Sequence, residues 1–321
     1  MAELKHRNVI ANGIRIHLVE AGRGPLVLMV HGFPESWYSW RHQLHALADA
    51  GYHAVAIDVR GYGRSSAPHA IDEYRMLKHV ADNLGVVEAL GEKHAIIVGH
   101  DWGAPIAANS ALLRPDVFRA LALLSVPYSP RGKRRPTDAF RLMGGQEEFY
   151  IEYFQRPGRA ETEIEPDVRN WLLGFYYSAS GDAPPPKDGK TMATVPAGGK
   201  LRDRLTIPEK LPGWLNADDL DYYVDEFERT GLTGGLNRYR NVDRDWEDFA
   251  PFDGQPIAVP SLFIGGEKDG PTRWGATAIA NFSKTLPALR ASHILSGCGH
   301  WVQQERPREV NELLVGFVKE I

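Results

Sequence analysis

The 321-residue chain has little that would tie it to a membrane, a secretory route or nucleic acid. It holds one cysteine, Cys298, so no internal disulfide can form and no oxidising compartment is called for. No stretch approaches the roughly 18 consecutive apolar residues of a membrane span. The first thirty or so residues show no apolar run behind a basic start, the mark of a signal peptide. Charge of one sign is not in excess either. Lys and Arg number 37 against 41 Asp and Glu, a net charge of −4, which gives no electrostatic capture of nucleic acid. The expectation is a soluble, cytoplasmic protein.

What is present is an ordinary globular composition, 43% apolar and 24% charged. The first third alternates strand-like segments (14–19, 26–30, 53–59, 95–98, 121–124) with helix-like ones (40–50, 74–90, 104–113). That rhythm predicts a mostly parallel sheet covered by helices on both faces. It breaks after Tyr128, where the chain becomes rich in aromatics, prolines and charge, with helical spacing near 146–154, 166–177 and 217–229. Residues 183–200 hold Pro184, Pro185, Pro186, Gly198 and Gly199 and read as a long loop. The α/β pattern returns with strands near 260–264 and 290–295 and a closing helix over 309–320. A sheet that pauses and resumes predicts one core, 1–128 and 246–321, interrupted by a helical cap, 129–245. The basic cluster Arg131, Lys133, Arg134 and Arg135, set between Pro130 and Pro136, reads first as a solvated hinge and second as an anion patch.

The most specific signal is Gly99-His100-Asp101-Trp102-Gly103, placed after an apolar strand and before a helix. This is the setting of a nucleophile elbow, where glycines permit a sharp turn that exposes the central side chain. The competing reading is an Asp that caps the following helix. Serine is the usual occupant of such an elbow, and its absence argues against a serine esterase. A carboxylate that attacks a saturated carbon forms an ester, which water can cleave, whereas an alkoxide would leave a stable ether. Asp101 therefore points to substitution at an sp³ carbon followed by ester hydrolysis. Cys298 lies beside His300, but the better nucleophile sits at the elbow. His42 and His45 have helical spacing and read as surface residues rather than a metal pair.

Other segments join the elbow: His31-Gly32-Phe33-Pro34, Asp58-Val59-Arg60-Gly61-Tyr62-Gly63 and Tyr153-Phe154-Gln155-Arg156-Pro157-Gly158. Further on come Gly235-Leu236-Asn237-Arg238-Tyr239-Arg240-Asn241, Gly266-Glu267-Lys268-Asp269 and Gly297-Cys298-Gly299-His300-Trp301. In this order, over nearly the whole chain, the sequence resembles the soluble epoxide hydrolases of the α/β-hydrolase-fold superfamily. The resemblance implies an eight-stranded, mostly parallel sheet flanked by helices, with an inserted helical cap. It implies His300 as the general base, an imidazole whose ordinary pKa near ~6.5 suits proton transfer at neutral pH. It implies Asp269 as the acid that orients His300. It implies backbone N–H groups of Phe33 and Trp102 as the oxyanion hole, with Phe33–Pro34 a candidate cis peptide. Tyr153 and Tyr239 are the implied cap donors to the epoxide oxygen, since a phenol with pKa near ~10 stays protonated at neutral pH. The chain departs from the family pattern at Gly270-Pro271-Thr272, which leaves the path of that loop open.

The expected reaction converts an apolar epoxide and water to a vicinal diol, with no metal or organic cofactor. Phe33, Trp37, Trp102, Phe154 and Trp301 are the candidates for an apolar substrate pocket, or else core residues. The only protein partner left open is a second copy of the chain, a homodimer. Two rival functions stay in view. A haloalkane or haloacid dehalogenase would share the Asp elbow, but Phe33 stands where the haloalkane branch commonly carries Asn, and Trp102 where the haloacid branch carries Arg. A non-catalytic small-molecule binder on the same fold would be expected to lack part of the set.

Overall fold

Strands form where apolar, β-branched runs can be buried on both faces. Leu26–Val30 is apolar at all five positions and buried at all five, which is what a central strand between two helical layers requires. In the computed structural model, which describes residues 2–186 and 189–321, eight strands make one sheet. They are β1 (Lys5–Ala11), β2 (Ile14–Ala21), β3 (Leu26–Val30), β4 (His53–Ile57), β5 (Ala95–His100), β6 (Phe118–Leu124), β7 (Ser261–Gly266) and β8 (Leu289–Leu295). Their spatial order is β1-β2-β4-β3-β5-β6-β7-β8. Only β2 runs against the rest, pairing antiparallel with β1 and β4; all other pairs are parallel. β1 was not foreseen, because four of its seven residues are exposed in an unbroken run and it lacks apolar alternation. It is held by its continuous ladder to β2, Lys5 opposite Glu20 through Ala11 opposite Ile14.

Helices α1 (Arg41–Asp49), α2 (Met76–Ala89) and α3 (Gly103–Leu113) follow their strands and cover the sheet. The chain returns to the sheet only at β7. Between β6 and β7 lie α4 (Pro136–Gly144), α5 (Val168–Ala179), α6 (Ala217–Thr230) and α7 (Thr233–Tyr239). Asn216 and Asp219 form a reciprocal capping box at the start of α6, satisfying N–H groups that the first turn leaves free. Where a helix was expected over 146–154, a two-residue strand, Glu148–Phe149, pairs with Thr194–Val195 inside the expected loop, and a single helical turn, Tyr150–Tyr153, follows. Phe149 stacks on Phe140 at 5.5 Å and the Tyr150 N–H donates to the Ala193 carbonyl, so long-range pairing overrides the local helical spacing here. Residues 187 and 188 of that loop lie outside the described residues. In the basic cluster, Arg131 stacks 3.7 Å from the Trp246 ring and Arg135 pairs with Asp243. Helix α8 (Pro307–Lys319) closes the chain against α1. Among the described residues no helix is long and apolar enough to cross a membrane.

The helical segment is sewn to the sheet by aromatic side chains. Tyr38 stacks on Tyr222 at 4.2 Å and donates to Asp219, while the Trp37 indole donates to the Tyr222 hydroxyl. All the loops that carry chemistry-bearing side chains leave the carboxyl ends of parallel strands: Phe33 after β3, Asp101 after β5, Ser125 after β6, Asp269 after β7 and His300 after β8. That edge is where open α/β sheets bind their ligands.

Candidate active site

The elbow depends on missing side chains. A Cβ on Gly103 would collide with the Val30 carbonyl, and one on Gly32 would collide with the Asp101 carboxylate. The β5–α3 turn can therefore press against the β3 loop. Asp101 itself takes φ 50°, a left-handed conformation that Asp tolerates better than most residues. The result is a carboxylate aimed away from the sheet with both oxygens engaged. The Phe33 N–H donates to Oδ1 at 2.8 Å, and His300 Nε2 lies 3.3 Å from Oδ2. The Phe33–Pro34 peptide is cis.

Behind His300, Nδ1 is 2.8 Å from Asp269 Oδ1. Asp269 also caps the short helix Gly270–Trp274. It accepts from the Thr272 N–H at 3.1 Å and from the Thr272 hydroxyl at 2.7 Å, so the departure at Gly270-Pro271-Thr272 supplies the carboxylate with two donors. The three side chains expected to form a triad thus lie in one chain of contacts, Asp101–His300–Asp269. Burial alone would lower the His300 pKa. The charges and hydrogen bonds of Asp269 and Asp101 outweigh it and hold the imidazole well above its ordinary value. For Asp101 burial acts upward, but the His300 contact, the His100 charge and the Phe33 N–H prevail and the carboxyl is held low. Both directions favour the charged forms, an imidazolium beside the Asp101 carboxylate.

Several contributors were not singled out from the sequence. Ser125, at φ 70°, places its Oγ 2.7 Å from Asp269 Oδ2 and 2.9 Å from His300 Nδ1. Glu35, fully buried, accepts from the Gly32 N–H at 2.9 Å and from Gln303 at 3.0 Å, and its Oε2 is 2.7 Å from His100 Nδ1. The other His100 nitrogen is 2.8 Å from the His300 carbonyl. Both His100 nitrogens therefore face acceptors, and the ring ties the elbow to the loop of the base. The signals were adjacency alone: Glu35 directly follows the His-Gly-Phe-Pro turn and His100 sits inside the elbow.

The tyrosines require a correction. Tyr153 does not face Asp101. Its hydroxyl is 2.5 Å from Glu163 Oε2, it is 2% exposed, and burial and that carboxylate push its pKa up. Tyr150, one helical turn earlier, lines the cavity together with Asp101. Burial, with the Asp101 charge second, pushes the Tyr150 phenol up, so it keeps its proton. The Tyr239 ring lies 6.2 Å from that of Tyr150 and edge-on to Trp102 at 5.1 Å. Burial, together with the Asp101 charge, keeps the Tyr239 phenol protonated as well.

The pocket residues need a second correction. A cavity of about 740 Å³ ends on Asp101, and of the five aromatics proposed to line it only Trp102 does. Phe33, Phe154 and Trp301 are 0–1% exposed and pack against one another's neighbours, while Trp37 sits at the seam with Tyr222. The walls come instead from Phe140, Met143, Phe149, Tyr150, Trp274 and Ala278. Cys298 is buried and its thiol is pushed up by burial, which removes it as a nucleophile.

Comparison with known proteins agrees with this geometry. The model of the α/β hydrolase fold family matches residues 25–307. Epoxide hydrolase A of Mycobacterium tuberculosis is 45% identical, over 97% of this chain and 96% of that one. Epoxide hydrolase B of the same organism is 43% identical over 98% of both. The solved structure of an epoxide hydrolase from an endophytic Streptomyces superposes with a TM-score of 0.97 at 64% identity, covering 98% of this chain and 95% of that one. With the fold, the carboxylate elbow and these relatives together, the chain belongs to the α/β-hydrolase-fold family and, within it, to the epoxide hydrolases.

Proposed function

We propose that the chain opens epoxides to vicinal diols through a covalent ester on Asp101. The observation that carries this reading is the Asp101 carboxylate, held between the Phe33 N–H and His300 at the inner end of an apolar cavity. Tyr150 and Tyr239 donate to the epoxide oxygen. One Asp101 oxygen attacks a ring carbon from the side opposite the breaking C–O bond, and the departing oxygen takes a phenolic proton. Esterification removes the Asp101 charge, one of the two that keep His300 protonated. The imidazolium then gives up its proton, by way of solvent, to the phenolate left by ring opening, and the neutral imidazole takes a proton from the attacking water, with Asp269 and Ser125 fixing its orientation. Water adds to the ester carbonyl, and the developing oxyanion is met by the N–H groups of Phe33 and Trp102. Collapse breaks the acyl C–O bond; the leaving alkoxide takes one of the two protons that water brought and departs as the diol, the other stays on His300, and Asp101 returns as a carboxylate.

Residues 129–245 act in this reading as a cap that brings Tyr150 and Tyr239 over the nucleophile. The sole cysteine, buried and unpaired, suits a cytoplasmic enzyme.

The test supplies purified protein with styrene oxide and 1,2-dibromoethane in parallel, with Asp101→Ala as control. Diol without bromide, lost in the variant, is the expected result; bromide without diol would sink the reading. A single turnover in oxygen-18 water adds a second check. The label enters Asp101 first, because the diol's new oxygen comes from the carboxylate.

A further inference from the structure

An epoxide carries substituents on two carbons, and they point to opposite sides of the ring. In-line attack by Asp101, with the ring oxygen held by the two tyrosines, fixes the C–C bond across the site. A substrate substituted on both carbons therefore needs room on both sides of Asp101.

The two sides differ. One opens into the cavity of about 740 Å³, within the roughly 300–1,000 Å³ range that suits drug-sized ligands. Its lining carries no charged side chain other than Asp101. The side on which the Phe33 N–H holds Asp101 contributes nothing to that lining and is packed with rings. Trp171 stacks on Phe175 at 4.7 Å, and Phe33 meets both of them at 6.3 and 6.1 Å. Phe175 meets Trp301 at 6.2 Å. None of these rings exceeds 5% exposure. The wall is anchored as well as packed. The Trp171 indole donates to Glu163 at 3.1 Å and the Trp301 indole to the Tyr176 carbonyl at 2.8 Å. A methylene inserted there would have to displace tethered rings from a close-packed interior.

Resting on the reading above, we infer that the substrate class is terminal epoxides with one long, uncharged apolar substituent, and that Trp171 and Phe175 are the residues that exclude substitution on the second carbon. The substituent runs from Asp101 past Tyr150 toward Met143 and Trp274, and the unsubstituted CH₂ faces the wall.

The test compares two isomers that differ only in where the ring sits, 1,2-epoxydecane and trans-5,6-epoxydecane, with diol formation measured on the full chain. The expected kcat/KM ratio favours the terminal isomer by on the order of tenfold or more, the range that excess methylenes command in a tight pocket. Trp171→Ala and Phe175→Ala, checked for folding by circular dichroism, are expected to narrow that ratio by raising the value for the internal isomer. Equal turnover of the two isomers by the unmodified enzyme overturns the inference and leaves epoxide hydrolysis standing. A terminal preference unchanged in folded variants overturns the assignment to Trp171 and Phe175. Diol from neither isomer overturns the epoxide reading itself. Should both variants fail to fold, a series of terminal epoxides from four to twelve carbons decides. kcat/KM rising with chain length supports the long arm, and a flat series overturns it.

Discussion

The Tyr153 hydroxyl lies 2.5 Å from the Glu163 carboxylate, and that bond turns the side chain away from Asp101. The same carboxylate also accepts from the Trp171 indole and from the N–H groups of Leu201 and Arg202. Tyr153 is therefore part of the frame of the helical segment, while Tyr150 faces the nucleophile. Tyr150→Phe is expected to lower kcat for epoxide opening by about 10²-fold, the lower end of what a positioned proton donor contributes. Tyr153→Phe is expected to keep most activity and to lose about 1–3 kcal/mol of stability, since a buried charged acceptor loses a donor. Steady-state kinetics and chemical denaturation on both variants separate the roles. A larger kcat loss in Tyr153→Phe than in Tyr150→Phe would reverse the assignment.

His300→Gln is expected to stop the cycle after the first step. The substitution leaves Asp101 and both phenols in place but removes the base that activates water. The intact protein should then gain the mass of one epoxide on exposure to substrate, and the added mass should map to Asp101 after digestion. An unmodified mass after full exposure would argue against a covalent ester.

The parts of the site legible in the sequence are those fixed by local backbone geometry. The elbow needs Gly103 because the Val30 carbonyl leaves no space for a Cβ, so the motif survives as a string of neighbouring residues. Asp269 and His300 likewise follow the ends of strands. Tyr150 and Tyr153 lie three residues apart on one helical turn, and the choice between them is made elsewhere. It is made by the pairing of Glu148–Phe149 with Thr194–Val195 and by Glu163, on the short helix Arg159–Ile164. No local pattern encodes that. The walls of the cavity were not legible for a similar reason. Phe33, Phe154 and Trp301 are apolar and adjacent to motifs, but they pack into a buried ring cluster. The actual walls, Phe140, Met143 and Trp274, come from segments more than a hundred residues apart that meet only in the fold.

Ser125→Ala is expected to lower kcat by roughly fivefold with little change in KM. The hydroxyl donates to Asp269 and offers its oxygen to the His300 ring, and losing such a bond costs about 1 kcal/mol. The effect should fall on ester hydrolysis, so pre-steady-state measurements should show alkylation unchanged and more ester at steady state. A slowed alkylation step instead would place Ser125 in another role.

The paired shifts of Asp101 and His300 set a pH window for stability. His300 is held above its ordinary value, first against burial and then by Asp269 and Asp101. Its share of stability is therefore complete below about pH 6.5 and is lost as pH rises through the folded-state pKa. Asp101 is held below its ordinary value, against burial, chiefly by His300. Its share is present above about pH 3.9 and is lost as pH falls through the folded-state pKa. The mutual attraction is therefore fullest between about pH 4 and pH 6.5. Asp101→Ala removes it, together with the Phe33 bond, whose loss does not vary with pH across this window. The gap in melting temperature between Asp101→Ala and the unmodified protein should be widest inside the window. It should narrow above it, as His300 loses its proton in the unmodified protein, and below it, as Asp101 gains one. Calorimetry across pH 3–9 reads this directly. A gap of constant size would mean that the two side chains are not charged partners in the resting enzyme.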